Sequence, residues 1–141
     1  MPERVLILCT GNSARSQMAE GLLRHDGASA FKVASAGTSP APVRKEAIAV
    51  MREIGIDISG QRSKHVDEFA GREFDAVITV CDKARENCPI LGHGARRIHW
   101  SFDDPGAASG QEEERLAVFR RVRDEIRAKL RELIESAKRA G

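Results

Sequence analysis

The chain has 141 residues, of which 41% are hydrophobic and 31% are charged, a composition that indicates one folded domain and excludes a disordered or fibrous protein. The net charge of +2 and the absence of Tyr do not favour a nucleic-acid binder. No apolar run is long enough for a membrane span or a secretion signal, and three cysteines are too few for a disulfide scaffold, so we expect a cytoplasmic protein whose thiols do chemistry or lie in the core.

The first third of the chain predicts a strand, a loop, a helix and a second strand. The continuous apolar run at residues 5–8 predicts a strand that is buried on both faces. Helical spacing from Ser16 predicts a helix that ends near Gly27. Its apolar side consists of Met18, Ala19, Leu22 and Leu23. Residues 33–35 predict a second short strand that Gly37 closes.

The middle of the chain continues the alternation of helices and strands. Pro40 and Pro42 separate the second strand from a helix that stops at Gly55. Helical spacing in that segment relates Ala47, Ile48, Met51 and Ile54. The β-branched run at residues 76–80 predicts a central strand, and residues 96–100 predict another strand.

The last segment predicts the longest helix, from Glu112 to about Arg139. One apolar stripe runs along it through Leu116, Phe119, Val122, Ile126, Leu130 and Leu133. A charged coiled-coil arm is the alternative, but the stripe is short and shifts in phase, which favours packing on the domain's own sheet. The whole pattern predicts an α/β fold with three layers, a mostly parallel sheet and a single domain over residues 1–141.

The loop after the first strand carries the clearest functional signal. Cys9 stands at the carboxyl end of the strand and Arg15 lies six residues later, where the helix begins. Ligands of parallel sheets bind at that edge, and the amides of a helix N-terminus bind tetrahedral oxyanions. Gly11 permits a tight turn, and Asn12 tolerates left-handed backbone geometry. The loop is therefore predicted to bind an oxyanion.

Three side chains at this loop have an expected role. The helix N-terminus is expected to lower the pKa of Cys9 and make its thiolate a nucleophile. Arg15 can hold two oxygens of the anion with its planar fork, and Ser16 can donate a hydrogen bond to the thiolate. The alternative is that Cys9 is a buried structural cysteine and Arg15 a surface charge. That interpretation does not explain why a glycine, an arginine and a serine follow the cysteine at the spacing that an oxyanion-binding loop needs.

These residues resemble the N-terminal motif of thioredoxin-coupled arsenate reductases, which share the low-molecular-weight tyrosine phosphatase fold. The resemblance extends over nearly the whole chain, through residues 9–21, 35–37, 81–89 and 100–105 and the last helix. It implies a four-stranded parallel sheet flanked by helices. It also implies an oxyanion-binding loop formed by Thr10, Gly11, Asn12, Ser13, Ala14, Arg15 and Ser16.

Two further cysteines, Cys81 and Cys88, bracket a charged segment. A zinc site that recruits His93 or His99 is one reading, but six intervening residues exceed the usual spacing of zinc ligands. Two inert core cysteines are another, which the charged residues between them disfavour. A helix over residues 82–88 would hold the two Cα atoms about 10 Å apart, whereas a disulfide needs roughly 4.4–6.8 Å. A bond between them therefore requires the segment to unwind or loop over.

The resemblance implies a relay of three thiols. Cys9 attacks arsenate, and Asp104 protonates the departing oxygen as general acid. Cys81 then displaces arsenite and forms a Cys9–Cys81 disulfide, and Cys88 converts it to a Cys81–Cys88 disulfide that thioredoxin reduces. Thioredoxin reductase and NADPH stand upstream, and no cofactor is bound. Asp104 has a second reading as a carboxylate that caps a turn, and Asp103 is expected to be structural.

Some relatives bind potassium near the loop through Asn, Glu, Ser and Asp. Asn12, Glu20 and Ser35 match those positions, but Lys64 stands where the Asp would be. Its ammonium group is expected to replace the cation by pairing with Glu20, so no metal is expected at this site. A solvent-exposed Lys64 is the alternative.

Two other functions compete with arsenate reduction. Low-molecular-weight tyrosine phosphatases carry a second cysteine in the loop and a proline after it, where this chain has Ala14 and Gln17, so only weak phosphatase activity is expected. A non-catalytic module that binds oxyanions or senses oxidation is the second competitor. Glutaredoxin and mycothiol also serve related enzymes, but the Cys81 and Cys88 pair favours thioredoxin. We expect a monomer that binds neither nucleic acid nor membranes.

Overall fold

The computed structural model describes residues 2–81 and 95–140, which contain four strands and three α-helices. In chain order these elements are β1 (Glu3–Cys9), α1 (Arg15–Gly27), β2 (Phe31–Gly37), α2 (Lys45–Arg52), β3 (Ala76–Thr79), β4 (Arg96–His99) and α3 (Glu112–Ala140). Within this described part, no helix is both long and apolar enough to span a membrane.

The four strands form one parallel sheet in the order β2-β1-β3-β4. β1 lies inside the sheet, and its residues 5–9 are buried, as expected for a strand that pairs on both edges. The predicted α/β fold with a four-stranded parallel sheet and helices is confirmed. β1 and β2 are longer than their apolar runs because backbone pairing continues to Glu3 and Phe31.

The helices bury their apolar faces against one another and the sheet. α1 and α2 both contact α3. On α3, the side chains of Phe119, Val122, Ile126 and Leu130 are fully buried. The coiled-coil reading of the last helix is therefore wrong, because its stripe belongs to the domain's own core. α2 ends at Arg52, before the predicted stop, and Gly55 follows with a left-handed φ of 81°.

The topology brings the predicted functional segments to one edge of the sheet. Parallel strands have their carboxyl ends together, and ligands of such sheets bind there. Cys9 ends β1, Cys81 follows β3 by two residues, and Asp104 follows β4 by five. Three segments that are far apart in sequence thus open onto the same edge.

Candidate active site

The loop between β1 and α1 turns at Asn12, which has a φ of 47°, whereas Gly11 is not among the residues with positive φ. Asn12 is buried. Its side-chain nitrogen donates to the hydroxyls of Ser16 (2.8 Å) and Ser35 (2.9 Å), and its side-chain oxygen accepts from the backbone of Lys64 (2.9 Å). An amide with partners on both atoms holds the strained turn in one conformation.

The carbonyl groups of the loop point outward to other segments. Those of Thr10, Gly11 and Ser13 accept backbone hydrogen bonds of 2.8–2.9 Å from Ser39, Ala41 and Arg44 respectively. Ser63 Oγ adds a bond of 3.0 Å to the Gly11 carbonyl. Ala14, the residue before α1, makes no side-chain capping bond. Three carbonyls of the loop are thus occupied by other segments, and backbone amides that stay available at a helix N-terminus are the groups that bind oxyanions in proteins.

The thiols of Cys9 and Cys81 are buried and hydrogen-bonded to each other. This bond and burial raise the pKa of Cys9, while the positive charge of Arg15 acts in the opposite direction. The expectation of a lowered pKa for Cys9 is therefore wrong for this arrangement. The expected lowering came from the helix N-terminus beside Cys9, whereas the hydrogen bond with the Cys81 thiol raises the pKa.

The Thr10 hydroxyl lies 3.3 Å from Cys81 Sγ, so Cys81 has contacts to two consecutive residues of the loop. The described residues thus bring two of the three cysteines together. Cys88 and the predicted unwinding of residues 82–88 lie outside the described residues, as does His93. His99 lies in β4, and its Nδ1 is 2.7 Å from the Thr79 hydroxyl.

Arg15 joins the loop to the segment that contains Asp104. Its Nη1 donates to the Phe102 carbonyl at 3.0 Å, and its Nη2 lies 3.9 Å from Asp104 Oδ2. Asp104 Oδ1 accepts a 2.9 Å bond from the Gly106 amide, so this carboxylate caps a short 3-10 helix while its other oxygen faces Arg15. Asp103 points away from the loop and forms a 3.0 Å ion pair with Arg121.

Behind the loop, Lys64 and Glu20 form a buried ion pair. Lys64 Nζ lies 3.8 Å from Glu20 Oε1 and donates to the Arg62 carbonyl at 2.8 Å. Ser35 donates to the same Glu20 oxygen at 2.5 Å, and Arg24 pairs with the other at 2.8 Å. Burial lowers the pKa of Lys64, and the charge of Glu20 acts against that shift. Among the described residues, no cluster of His, Cys, Asp and Glu suited to a metal is found.

This pair predicts that potassium does not stabilise the protein. The melting temperature in potassium chloride should equal that in sodium chloride at the same ionic strength, because Lys64 already supplies a positive charge at Glu20. Lys64→Met should lower the free energy of unfolding by about 1–3 kcal/mol, since it leaves a buried carboxylate with fewer partners. Lys45→Met, at an exposed lysine, is the control. A clear rise in melting temperature with potassium would contradict the prediction.

Sequence reasoning missed three residues that shape the site. Gln17 is buried and donates to Asn12 and to the Arg62 carbonyl, and Ser63 and Arg44 bond to carbonyls of the loop. Gln17 gave no signal in the sequence, because helical spacing puts it on the side of α1 opposite to the apolar residues Met18, Ala19, Leu22 and Leu23. Ser63 and Arg44 carry no signal, because their partners come from distant segments.

Comparisons with known proteins agree with this geometry. Residues 4–141 match the family model for low molecular weight phosphotyrosine protein phosphatase. The arsenate reductase of Bacillus subtilis (strain 168) is 45% identical over 134 residues, which cover 95% of this chain and 96% of that protein.

Solved structures with the same fold include two arsenate reductases. One, in a phosphate-binding state, has a TM-score of 0.78 and 35% identity, with coverage of 96% of this chain and 98% of the other. The other is a thioredoxin-dependent arsenate reductase of Corynebacterium glutamicum, with a TM-score of 0.78, 27% identity and coverage of 99% of this chain and 64% of the other.

Proposed function

The chain belongs to the low molecular weight phosphotyrosine protein phosphatase family, and from that premise we propose that it is an arsenate reductase with a three-cysteine relay that thioredoxin regenerates. The observation that carries the proposal is that the buried Cys81 thiol contacts both Cys9 and the Thr10 hydroxyl of the loop, the latter at 3.3 Å. A phosphatase needs one thiol there. A second thiol in contact with the nucleophilic thiol is needed when the nucleophile is itself oxidised, because the two can then form a disulfide.

The first step joins Cys9 to arsenic. The loop amides and Arg15 hold arsenate, and the sulfur of Cys9 attacks arsenic as one arsenic–oxygen bond breaks. Asp104 protonates the departing oxygen, which leaves as water, and the proton that Cys9 gives up balances the count. Asp104 suits this role because Oδ2 faces the Arg15 fork that would hold the anion.

The second step reduces arsenic. Cys81 attacks Cys9 Sγ, the sulfur–arsenic bond breaks, and its electron pair stays on arsenic, which leaves as arsenite. The product is a Cys9–Cys81 disulfide, and the two thiols that form it already interact with each other.

The third step carries the oxidation away from the loop. Cys88 attacks Cys81, which frees Cys9 and forms a Cys81–Cys88 disulfide, and the dithiol of thioredoxin then reduces it. Support for Cys88 comes from its place in the sequence and from relatives, one of which is thioredoxin-dependent.

The proposal is tested by supplying arsenate, thioredoxin, thioredoxin reductase and NADPH, and measuring arsenite and NADPH consumption together. We expect one NADPH oxidised for each arsenite formed over many turnovers. A binding or sensing module would release no sustained arsenite even with excess reductant. Replacing thioredoxin with glutaredoxin and glutathione identifies the reductant, and faster turnover with the latter would contradict the thioredoxin proposal.

The Thr10 hydroxyl is expected to assist Cys81. Its contact at 3.3 Å can stabilise the Cys81 thiolate, and a hydrogen bond of this kind contributes about 0.5–1.5 kcal/mol. Thr10→Val should therefore slow formation of the Cys9–Cys81 disulfide by about 2- to 10-fold in a single turnover. Thr10→Ser, which keeps the hydroxyl, is the matched control. Equal rates for valine and wild type would contradict this role.

A further inference from the structure

Arg44 connects the oxyanion loop to the segment that contains Asp104. It directly precedes α2 and is half-buried. Its backbone N–H donates to the Ser13 carbonyl at 2.8 Å, and its Nη2 donates to the Gly106 carbonyl at 2.6 Å. Both contacts border a cleft of about 520 Å³ whose lining includes Ser13, Arg44 and Asp104. Arg44 therefore joins the loop at Ser13 to the Asp104 segment along one side of this cleft.

Gly106 is the point at which Arg44 and Asp104 meet. The Gly106 amide donates to Asp104 Oδ1 at 2.9 Å, while its carbonyl accepts from Arg44. A Cβ at this position would lie 2.6 Å from Arg44 Nη2 and 3.1 Å from Asp104 Oδ1. Glycine thus allows both side chains to approach one residue, and a displacement of the Arg44 contact would also displace the Asp104 cap.

Two arginines hold the chain on either side of Asp104. Arg15 binds the carbonyl of Phe102, two residues before it, and Arg44 binds the carbonyl of Gly106, two residues after it. Asp104 itself is 52% exposed. A half-exposed carboxylate on a three-residue 3-10 helix has little packing to orient it, so these two contacts, together with the Gly106 amide at Oδ1 and Arg15 near Oδ2, hold it in place.

We propose that Arg44 is a positioning residue for the general acid, acting through Gly106 on Asp104 and not by binding arsenate. This inference rests on the proposed function, because Asp104 has an acid role only if arsenate loses an oxygen at the loop. It goes beyond that function because it assigns a task to a residue outside the Cys9–Ser16 loop. Arg44 Nη2 holds the Gly106 carbonyl, and the kinetic test below separates a positioning role from anion binding.

The test is the single-turnover rate of arsenite release from reduced enzyme without external reductant, measured over a range of arsenate concentrations. A general acid contributes about 100- to 10,000-fold to a rate, and loss of its orientation should remove part of that factor. We expect Arg44→Gln to lower the saturating rate about 10-fold with an unchanged apparent Kd for arsenate. Arg44→Lys, which keeps a long donor, should recover part of the rate.

Two further variants separate positioning from a general loss of charge or fold. Arg52→Gln makes the same change at the exposed end of α2, away from this cleft, and should leave the rate unchanged. In an Asp104→Asn background, Arg44→Gln should slow the reaction no further, because its effect passes through Asp104. Far-ultraviolet circular dichroism and thermal melting check that each variant is folded.

The inference is overturned if Arg44→Gln has the saturating rate of wild type, or if it slows the Asp104→Asn variant as much as it slows wild type. It is also overturned if Arg44→Gln weakens arsenate binding and leaves the saturating rate unchanged. That last result would make Arg44 an anion-binding residue. Failure of the proposed function looks different, because wild type itself would then release no arsenite. If wild type releases arsenite and Arg44→Gln releases it at the same rate, only the role of Arg44 is overturned.

Discussion

Cys81→Ser is expected to abolish arsenite release, both in a single turnover and in the coupled assay. Cys9 can still form its adduct with arsenic, but a serine hydroxyl cannot form the disulfide that leaves the electron pair on arsenic. The buried contact between the two thiols makes Cys81 the thiol that is placed for this step. Arsenite is measured directly, and NADPH consumption with thioredoxin and thioredoxin reductase provides an independent readout.

The other two cysteines supply controls with different outcomes. Cys9→Ser should form no adduct, whereas Cys88→Ser should release one arsenite and stop with a Cys9–Cys81 disulfide. The chain has three cysteines, so a thiol count after one turnover should leave one free thiol in wild type and none in Cys88→Ser. Sustained turnover by Cys81→Ser or Cys88→Ser would contradict the relay.

Hydrolysis of p-nitrophenyl phosphate distinguishes the reductase from a phosphatase on the same protein. The shared loop predicts weak hydrolysis that needs Cys9 and Asp104 and does not need Cys81 or Cys88. A protein whose hydrolysis is fast, and whose arsenite release is absent, would be a phosphatase. The three cysteine variants therefore separate the two activities without a change in the oxyanion loop beyond Cys9.

Local patterns were sufficient for most of the fold. The apolar run at residues 5–8 and the β-branched run at residues 76–80 predicted the two inner strands, because strands that pair on both edges must be apolar on both faces. The stripe on α3 predicted its buried face for the same reason. The ends of the strands were predicted less accurately, because backbone hydrogen bonds and not hydropathy determine the last paired residues, such as Glu3.

The site shows where sequence reasoning stops. The order of Cys9, Arg15 and Ser16 predicted a loop between a strand end and a helix start, which the structure has, and oxyanion binding by this loop stays a prediction. The sign of the Cys9 pKa shift was wrong because Cys81, 72 residues away, controls it. The left-handed conformation considered for Asn12 is confirmed, and partners from Ser35 and Lys64 hold it there, whereas Gly11 has no positive φ.

Arg15→Lys is expected to lower kcat/KM for arsenate by roughly 100-fold or more. The planar guanidinium has enough N–H donors to bind the Phe102 carbonyl and two oxygens of the anion at the same time. A lysine ammonium group is a single point of charge and cannot reach all three acceptors. Two hydrogen bonds to a charged group contribute about 1.5–3 kcal/mol each, which sets that magnitude. The loss should appear in the saturating rate as well as in KM, because Arg15 also faces Asp104 at 3.9 Å.

Arg72→Lys is the matched control, because it makes the same chemical change at an exposed arginine that stacks on Phe69. It should leave arsenite formation unchanged, and both variants should melt near the wild-type temperature. A loss in KM alone for Arg15→Lys would mean that Arg15 binds the anion but does not act on the Asp104 segment. Unchanged kinetics would contradict the oxyanion loop itself, since no other residue of the loop carries a positive charge.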